Sequence, residues 1–266
     1  MSFNNPGKGC LDVYRTLRQL YLPLYLARAD IRQRYRRSTL GPFWITISTG
    51  IMVATMGIIF GQVFKAPMAE LLPFLAAGLV IWSFISPTLI EATEVFVGAQ
   101  AIIRQLPIPL FVHVVRLLAK NFYIFLHNVV IFFLVLLFFH EGLGLVSLLS
   151  ILGLILLILN LSWLSLLLGI VCSRFRDLTQ IVASLLQIFF YLTPIIWLPS
   201  LLPEKTSMMV LTGNPFFHLI EVVRAPLLNQ VPTSLNWVFT IVFAILGWLF
   251  TIFIFNRYRS KIAYWL

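Results

Sequence analysis

Charged residues are scarce in this chain, and acidic residues are the scarcest of them. Only 11% of the 266 residues are charged, with 9 Asp and Glu against 19 Lys and Arg, so the net charge is +10. Hydrophobic residues reach 60%, whereas soluble domains are about half apolar and about a quarter charged. The composition excludes an ordinary soluble domain, and the long apolar runs predict an integral membrane protein.

Motifs for catalysis by the chain alone are also absent. The sequence has no GxxxxGK[ST] phosphate-binding loop, no HExxH, no CxxC and no GxSxG. We therefore expect no catalytic residue, no cofactor-binding residue and no metal site in this chain. If ATP drives its function, a separate polypeptide must bind and hydrolyse the nucleotide.

Six apolar segments are long enough to cross a bilayer, which takes about 20 residues of helix. They lie at about 42–64, 71–96, 110–139, 144–172, 179–198 and 236–256. Because helices satisfy their own backbone hydrogen bonds in lipid, we predict an all-α membrane protein with six transmembrane helices. It comprises an N-terminal segment over 1–39, a membrane domain over 40–256 and a C-terminal tail over 257–266.

Lys and Arg are divided unequally between the two sides of these spans. With the N-terminus inside, sixteen lie in cytoplasmic segments or at cytoplasmic span ends, and three lie outside, at Lys65, Lys205 and Arg224. Positively charged segments remain in the cytoplasm. We therefore predict that both termini are cytoplasmic.

Residues 11–37 have the pattern of an amphipathic helix that lies at the membrane surface, with a break near Pro23. An apolar stripe runs beside five arginines, which are Arg28, Arg32, Arg34, Arg36 and Arg37. The arginines either anchor the topology or form a docking surface for a cytoplasmic partner. Their position beside six spans excludes nucleic acid as their ligand.

Two predicted spans carry a row of polar residues on one face. The third span has His113, Arg116, Lys120, Tyr123 and His127, and the fifth has Gln180, Ser184, Gln187 and Tyr191, all at spacings of three or four. Polar faces avoid lipid because charge in hydrocarbon is costly. The rows either join helices by hydrogen bonds or line a path, the first for an anionic or hydroxyl-rich substrate and the second for sugars.

Two links between spans are more apolar or longer than simple connectors. The cytoplasmic link 98–109 can form a short helix that Pro107 and Pro109 end, either as a connector or as a docking helix. The outer link 199–235 contains "TGNPFFHLIEVVRAPLL" at 212–228. It predicts a re-entrant or interfacial helical hairpin, in which Glu221 and Arg224 can pair. This hairpin is either a structural lid or a gate over a channel.

Four stretches carry a family resemblance: "ADIRQRYRRSTLGPFW" (29–44), "SRFRDL" (173–178), "YLTPIIW" (191–197) and "GNPFFHLIEVVRAPLL" (213–228). Together they resemble the membrane subunit of type-2 ABC exporters, in the branch that exports bacterial polysaccharides. The similarity covers the chain from end to end, and O-antigen permeases are the nearest group.

The resemblance implies a homodimer in the bacterial inner membrane with two copies of a cytoplasmic ABC ATPase, which binds ATP and Mg. The substrate would be an undecaprenyl-diphosphate-linked polysaccharide moved to the periplasm. The alternatives are export of capsular polysaccharide or teichoic acid, and a related exporter of drugs or lipids. A stand-alone secondary transporter is a further alternative, which the missing internal repeat disfavours.

The resemblance also implies roles for particular residues. The five arginines, with Leu40 and Gly41 in the turn to the first span, would meet the ATPase or the lipid diphosphate. Residues 98–107 would form a coupling helix, with Gln100, Ile103, Arg104 and Gln105 facing the ATPase. The periplasmic gate would contain Asn214, Pro215, Phe216, Phe217, Glu221 and Arg224.

Overall fold

The computed structural model describes residues 7–36, 41, 43–139, 142–199 and 211–266. Within these ranges the chain forms helices and no strand. The helices are α1 (Lys8–Arg18), α2 (Tyr21–Tyr35), α3 (Phe43–Phe64), α4 (Met68–Ala92), α5 (Gln100–Gln105), α6 (Phe111–Phe139), α7 (Leu149–Arg174), α8 (Leu178–Leu192), α9 (Pro215–Leu227) and α10 (Ser234–Trp265). A 3₁₀ turn, Leu145–Leu148, precedes α7. The predicted all-α class is confirmed.

Five helices, α3, α4, α6, α7 and α10, are long and apolar enough to cross a membrane. They match five of the six predicted spans. The remaining segment, 179–198, forms α8, which is apolar but only 15 residues long. It ends at Leu192 because the residue before a proline disfavours helical dihedrals, and Thr193 before Pro194 is extended with ψ 137°. A sixth span therefore stays a prediction.

The core is centred on α4, which contacts α3, α6, α7, α8 and α9. Helix α9 lies between α4, α7 and α10. Gly153 of α7 permits this packing, because a Cβ there would collide with the backbone carbonyl of Val222. Helices α3 and α8, in contrast, leave most of their side chains exposed. The subunit thus has one enclosed side and one that is largely uncovered.

The N-terminal segment forms two helices rather than one continuous helix. The break lies at Gln19 and Leu20, and Pro23 lies in the first turn of α2, where its missing N–H would have no helical partner. At the other end, α10 continues without interruption from Ser234 to Trp265, with Phe255 and Ile262 fully buried. The predicted C-terminal tail is therefore mostly helix.

Candidate functional site

The polar row of α6 pairs with carboxylates from two other helices. The Arg116 guanidinium donates two hydrogen bonds to the Asp30 carboxylate of α2, from Nε to Oδ2 at 2.6 Å and from the terminal nitrogen to Oδ1. The Lys120 Nζ lies 2.7 Å from Glu91 Oε2 of α4. Asn121 donates a further bond of 2.9 Å to the same carboxylate oxygen. Two ion pairs therefore join α6 to α2 and to the central helix α4.

The rest of the row also contacts neighbouring helices. Arg28 Nε donates to the Tyr123 hydroxyl at 3.3 Å. The His127 ring lies 2.7 Å, at Nδ1, from the Tyr123 carbonyl and edge-on to Phe43 at the start of α3. His113 is only 2% exposed, and neither ring nitrogen has a hydrogen-bond partner among the described residues. Four of the five predicted residues thus hold helices together.

His113, Arg116 and Lys120 line one cleft of about 280 Å³. Its other walls include Asp30 and Glu91, and also Gly98 and Ala99 just before α5, together with Glu94. Glu94 is exposed and forms no ion pair with any described residue. The cleft therefore lies between α2, the residues just before α5, α4 and α6.

The other predicted interface residues lie on the surface. Arg32, Arg34 and Arg36 are exposed on α2, whereas Arg37 and Leu40 lie outside the described residues. Gly41 has φ +54°, a left-handed conformation that glycine adopts without strain. This conformation suits a sharp turn into α3.

Tyr35, at the end of α2, differs from its exposed neighbours. Its hydroxyl is buried without a hydrogen-bond partner in the described part of the chain. Burial raises the pKa of the Tyr35 phenol, although the nearby Arg34 charge opposes this shift. The side chain is therefore neutral throughout the physiological pH range.

The predicted coupling helix is the six-residue α5, shorter than the proposed 98–107. Gln100 donates from Nε2 to the Leu266 carbonyl at the end of α10. Ile103 packs against the core, while Arg104 and Gln105 are exposed. Helix α5 thus presents a polar end to the exterior and rests on α10.

Asp12 is a central residue that sequence reasoning did not single out. Its side chain is fully buried, and its carboxylate accepts hydrogen bonds from the backbone N–H groups of Leu110 at 3.1 Å and Phe111 at 2.9 Å. Arg259 of α10 donates to the same carboxylate at 2.6 Å. Asp12 therefore caps the start of α6 and ties α1 to α10. An acidic residue in a basic N-terminus, the one acidic residue of α1, was the only available signal.

The predicted polar row of α8 is uncovered. Gln180, Ser184, Gln187 and Tyr191 are all exposed, at successive spacings of four, three and four residues. Within the subunit, α8 contacts mainly α4. The row therefore faces outward along one side of α8.

The predicted gate residues build α9 and its connection to α8. Asn214 caps α9, accepting through Oδ1 from the N–H groups of Phe216 at 3.0 Å and Phe217 at 3.4 Å, and Pro215 occupies the first helical position. The Asn214 amide also donates to the Thr193 hydroxyl at 2.9 Å. This side chain therefore joins the end of α8 to the start of α9.

Arg224 is the largest fully buried side chain of the described residues. It donates to Glu221 Oε2 from Nε at 3.1 Å and from Nη2 at 2.5 Å, and from Nη1 to the Pro194 carbonyl at 2.5 Å. Its guanidinium carbon lies 3.9 Å from the centroid of the Phe74 ring of α4. The predicted Glu221–Arg224 pair is present, and it fixes α9 to the turn after α8.

Comparison with known proteins identifies the family. The model of the ABC-2 type transporter family matches residues 23–228. The chain belongs to this family. Similar proteins include two from Klebsiella pneumoniae named O-antigen export system permease protein RfbA, which are 25% and 24% identical and aligned over 91% of this chain and 93% of each relative. A protein of the same name from Myxococcus xanthus is 24% identical over 79% of this chain and 83% of its own length.

As a member of the ABC-2 family, the chain is a multi-pass membrane subunit of a type-2 ABC exporter. Family membership implies an ABC ATPase as its partner. The matched region begins in α2 and ends just after α9. It therefore contains the α2 arginines, the α4–α6 cleft, α5, α8 and α9, which are the elements described above.

Proposed function

We propose that the chain is the channel-forming subunit of an exporter of undecaprenyl-diphosphate-linked polysaccharide, with O-antigen as the first candidate. It acts without catalytic residues, cofactor or metal of its own, as a homodimer with two ABC ATPase subunits that bind ATP and Mg. Both termini lie in the cytoplasm, and the membrane is the bacterial inner membrane. The names of the relatives in Klebsiella and Myxococcus support this substrate.

The observation that carries the proposal is the uncovered polar row of α8. Amide, hydroxyl and phenol groups at Gln180, Ser184, Gln187 and Tyr191 suit the hydroxyls of a sugar chain, since they donate and accept hydrogen bonds without charge. Exposed to lipid, such groups would be unfavourable. A second subunit that covers α3 and α8 would enclose the row in a path through the dimer.

The cytoplasmic face supplies the other roles in the proposal. Arg32, Arg34 and Arg36 bind the ATPase or the lipid diphosphate, which guanidinium groups bind in a bidentate manner. The sequence-based prediction extends this role to Arg37 and to the Leu40–Gly41 segment. Helix α5 is the coupling helix, and the cleft beside it, with His113, Arg116 and Lys120, transmits its movement. Helix α9 is the periplasmic gate.

Deleting the chain tests the substrate assignment. We expect surface polysaccharide to disappear while polymer accumulates in the cytoplasm. In a separate measurement, we expect the native chain in complex with its ATPase to hydrolyse ATP. Loss of capsule or teichoic acid with unchanged O-antigen, seen by glycan analysis, would support those substrates instead. If all surface polymers are unchanged, export of drugs or lipids remains, which resistance profiling tests. Transport by the purified chain in liposomes without an ATPase would instead support a secondary transporter.

The α2 arginines are tested by the double variant Arg32→Glu/Arg36→Glu. We expect normal membrane insertion with loss of export, because the anion-binding surface reverses its charge. Normal export by this variant would show that the arginines only anchor the topology.

A further inference from the structure

An apolar cavity lies beneath the two N-terminal helices. It has a volume of about 600 Å³. The side that faces the α1–α2 segment is lined by Val13, Leu17, Leu20 and Leu24. The rest of its lining comes from α4, α6, α7 and α10, and almost none of it is polar. The volume lies within the range of about 300–1,000 Å³ that small-molecule sites occupy.

A second apolar cavity adjoins the first. It measures about 410 Å³ and shares Leu159, Trp248 and Ile252 with the larger one. The two cavities therefore form one apolar trough along α10. Neither α3 nor α8 contributes to either lining, so the trough lies away from the surface proposed to form the dimer and the sugar path.

One edge of the trough carries a positive charge at a fixed position. Tyr123 lines the larger cavity, and its hydroxyl accepts the hydrogen bond from Arg28 Nε at 3.3 Å. In the described chain this bond occupies Nε alone, so the two terminal nitrogens of Arg28 can meet an anion. Arg28 is one turn beyond Leu24, which lines the trough. An apolar trough with a guanidinium at its edge matches a lipid tail and its phosphate.

We propose that this trough binds one phospholipid of the cytoplasmic leaflet as a structural lipid. An acyl chain fills the cavity under α1 and α2, and the phosphate binds Arg28 beside Tyr123. The inference goes beyond the proposed function, since this lipid is not the exported substrate. It assigns Arg28 to a membrane lipid, separately from the other α2 arginines. The bound lipid would support the interface helices from below.

Native mass spectrometry of the full-length chain, purified in mild detergent, tests the site. We expect one retained phospholipid per chain. Ala119→Trp fills the larger cavity, whose lining includes Ala119, and should abolish retention. Its matched control is Leu246→Trp, which adds the same ring to an exposed position of α10 that lines neither cavity. Equal retention by the two variants would overturn the proposal, as would a polyprenyl lipid in place of phospholipid.

A second measurement does not depend on a cavity-filling variant. Phospholipid with brominated acyl chains quenches tryptophan on contact, and Trp248 lines both cavities. Because exposed tryptophans such as Trp44 are also quenched, we expect one component that saturates at one lipid per chain. This component is lost in Trp248→Phe and weakens several-fold in Arg28→Gln. Quenching that rises without saturation, or is unchanged in Trp248→Phe, would contradict a specific site. Neither result bears on export, so failure here leaves the proposed function standing.

Discussion

Helices α8 and α9 follow one another along the chain but have opposite environments. Helix α9 buries nine of its 13 residues, and its polar side chains Arg224 and His218 are paired with other parts of the subunit. Helix α8 buries one of its 15 residues, and its polar row is exposed in the described part of the chain. The comparison shows that α9 is covered by its own subunit. Helix α8, in contrast, is left to be covered by something outside the subunit.

The comparison predicts that the largest loss of stability comes from α9. Arg224→Leu would leave Glu221 and the Pro194 carbonyl without their buried donor, at a cost of about 3–5 kcal/mol. Thermal unfolding in detergent measures the effect, with the exposed Arg176→Leu as control, for which we expect a change within about 0.5 kcal/mol. Equal unfolding midpoints for the two variants would show that α9 does not depend on this anchor.

The cap of α9 should have the next largest effect. Asn214→Ala removes the helix cap and the bond to Thr193, and should reduce the free energy of unfolding by about 1–2 kcal/mol. Asn214→Ser retains a capping oxygen, so its free energy of unfolding should lie between those of Asn214→Ala and the native chain. If Ser is no better than Ala, the contact with Thr193 and not the cap determines stability.

The ion pairs of α6 should contribute less, although they are chemically similar to the Arg224 pair. The side chains of Arg116 and Asp30 are 25% and 23% exposed, so solvent weakens their attraction. A double-mutant cycle with Arg116→Gln and Asp30→Asn should give a coupling energy of about 1 kcal/mol or less. A coupling near the value for a buried pair would indicate that this cleft closes in the assembled exporter.

The smallest effect on stability is expected at α8, together with a large effect on transport. Ser184→Leu/Gln187→Leu should change the free energy of unfolding by less than about 0.5 kcal/mol but sharply reduce surface polysaccharide. The control is Ile188→Leu, an exposed apolar position of the same helix. Normal export by the double variant would show that the polar row does not line the transport path.

Local sequence patterns predicted where the helices lie better than they predicted which helices pack against each other. Length and hydropathy located five spans, and the spacing of the α6 polar residues placed them on one face, because both follow from the period of a helix. The same spacing did not reveal that Arg116 pairs with Asp30, 86 residues away, or that Asp12 caps α6. Periodicity defines a face but does not specify which helix lies against it.

The sixth segment shows the same limit. The apolar run 179–198 predicts a span by composition, yet the helix stops at Leu192, and the turn that follows is held by Asn214 and Arg224. The Thr193–Pro194 pair was a local signal for this end. The partners that stabilise it lie more than 20 residues later, beyond the range of any local pattern.

The length of α10 has a geometric consequence. Its 32 residues extend about 48 Å at 1.5 Å per residue, roughly 18 Å more than the hydrocarbon thickness of a bilayer. Several turns must therefore project beyond the lipid, and the turns with Asn256, Arg259 and Leu266 are those that contact α1, Asp12 and α5. Helices α1 and α5 thus pack on a part of α10 that extends past the hydrocarbon, and the length of this last helix sets their distance from the lipid.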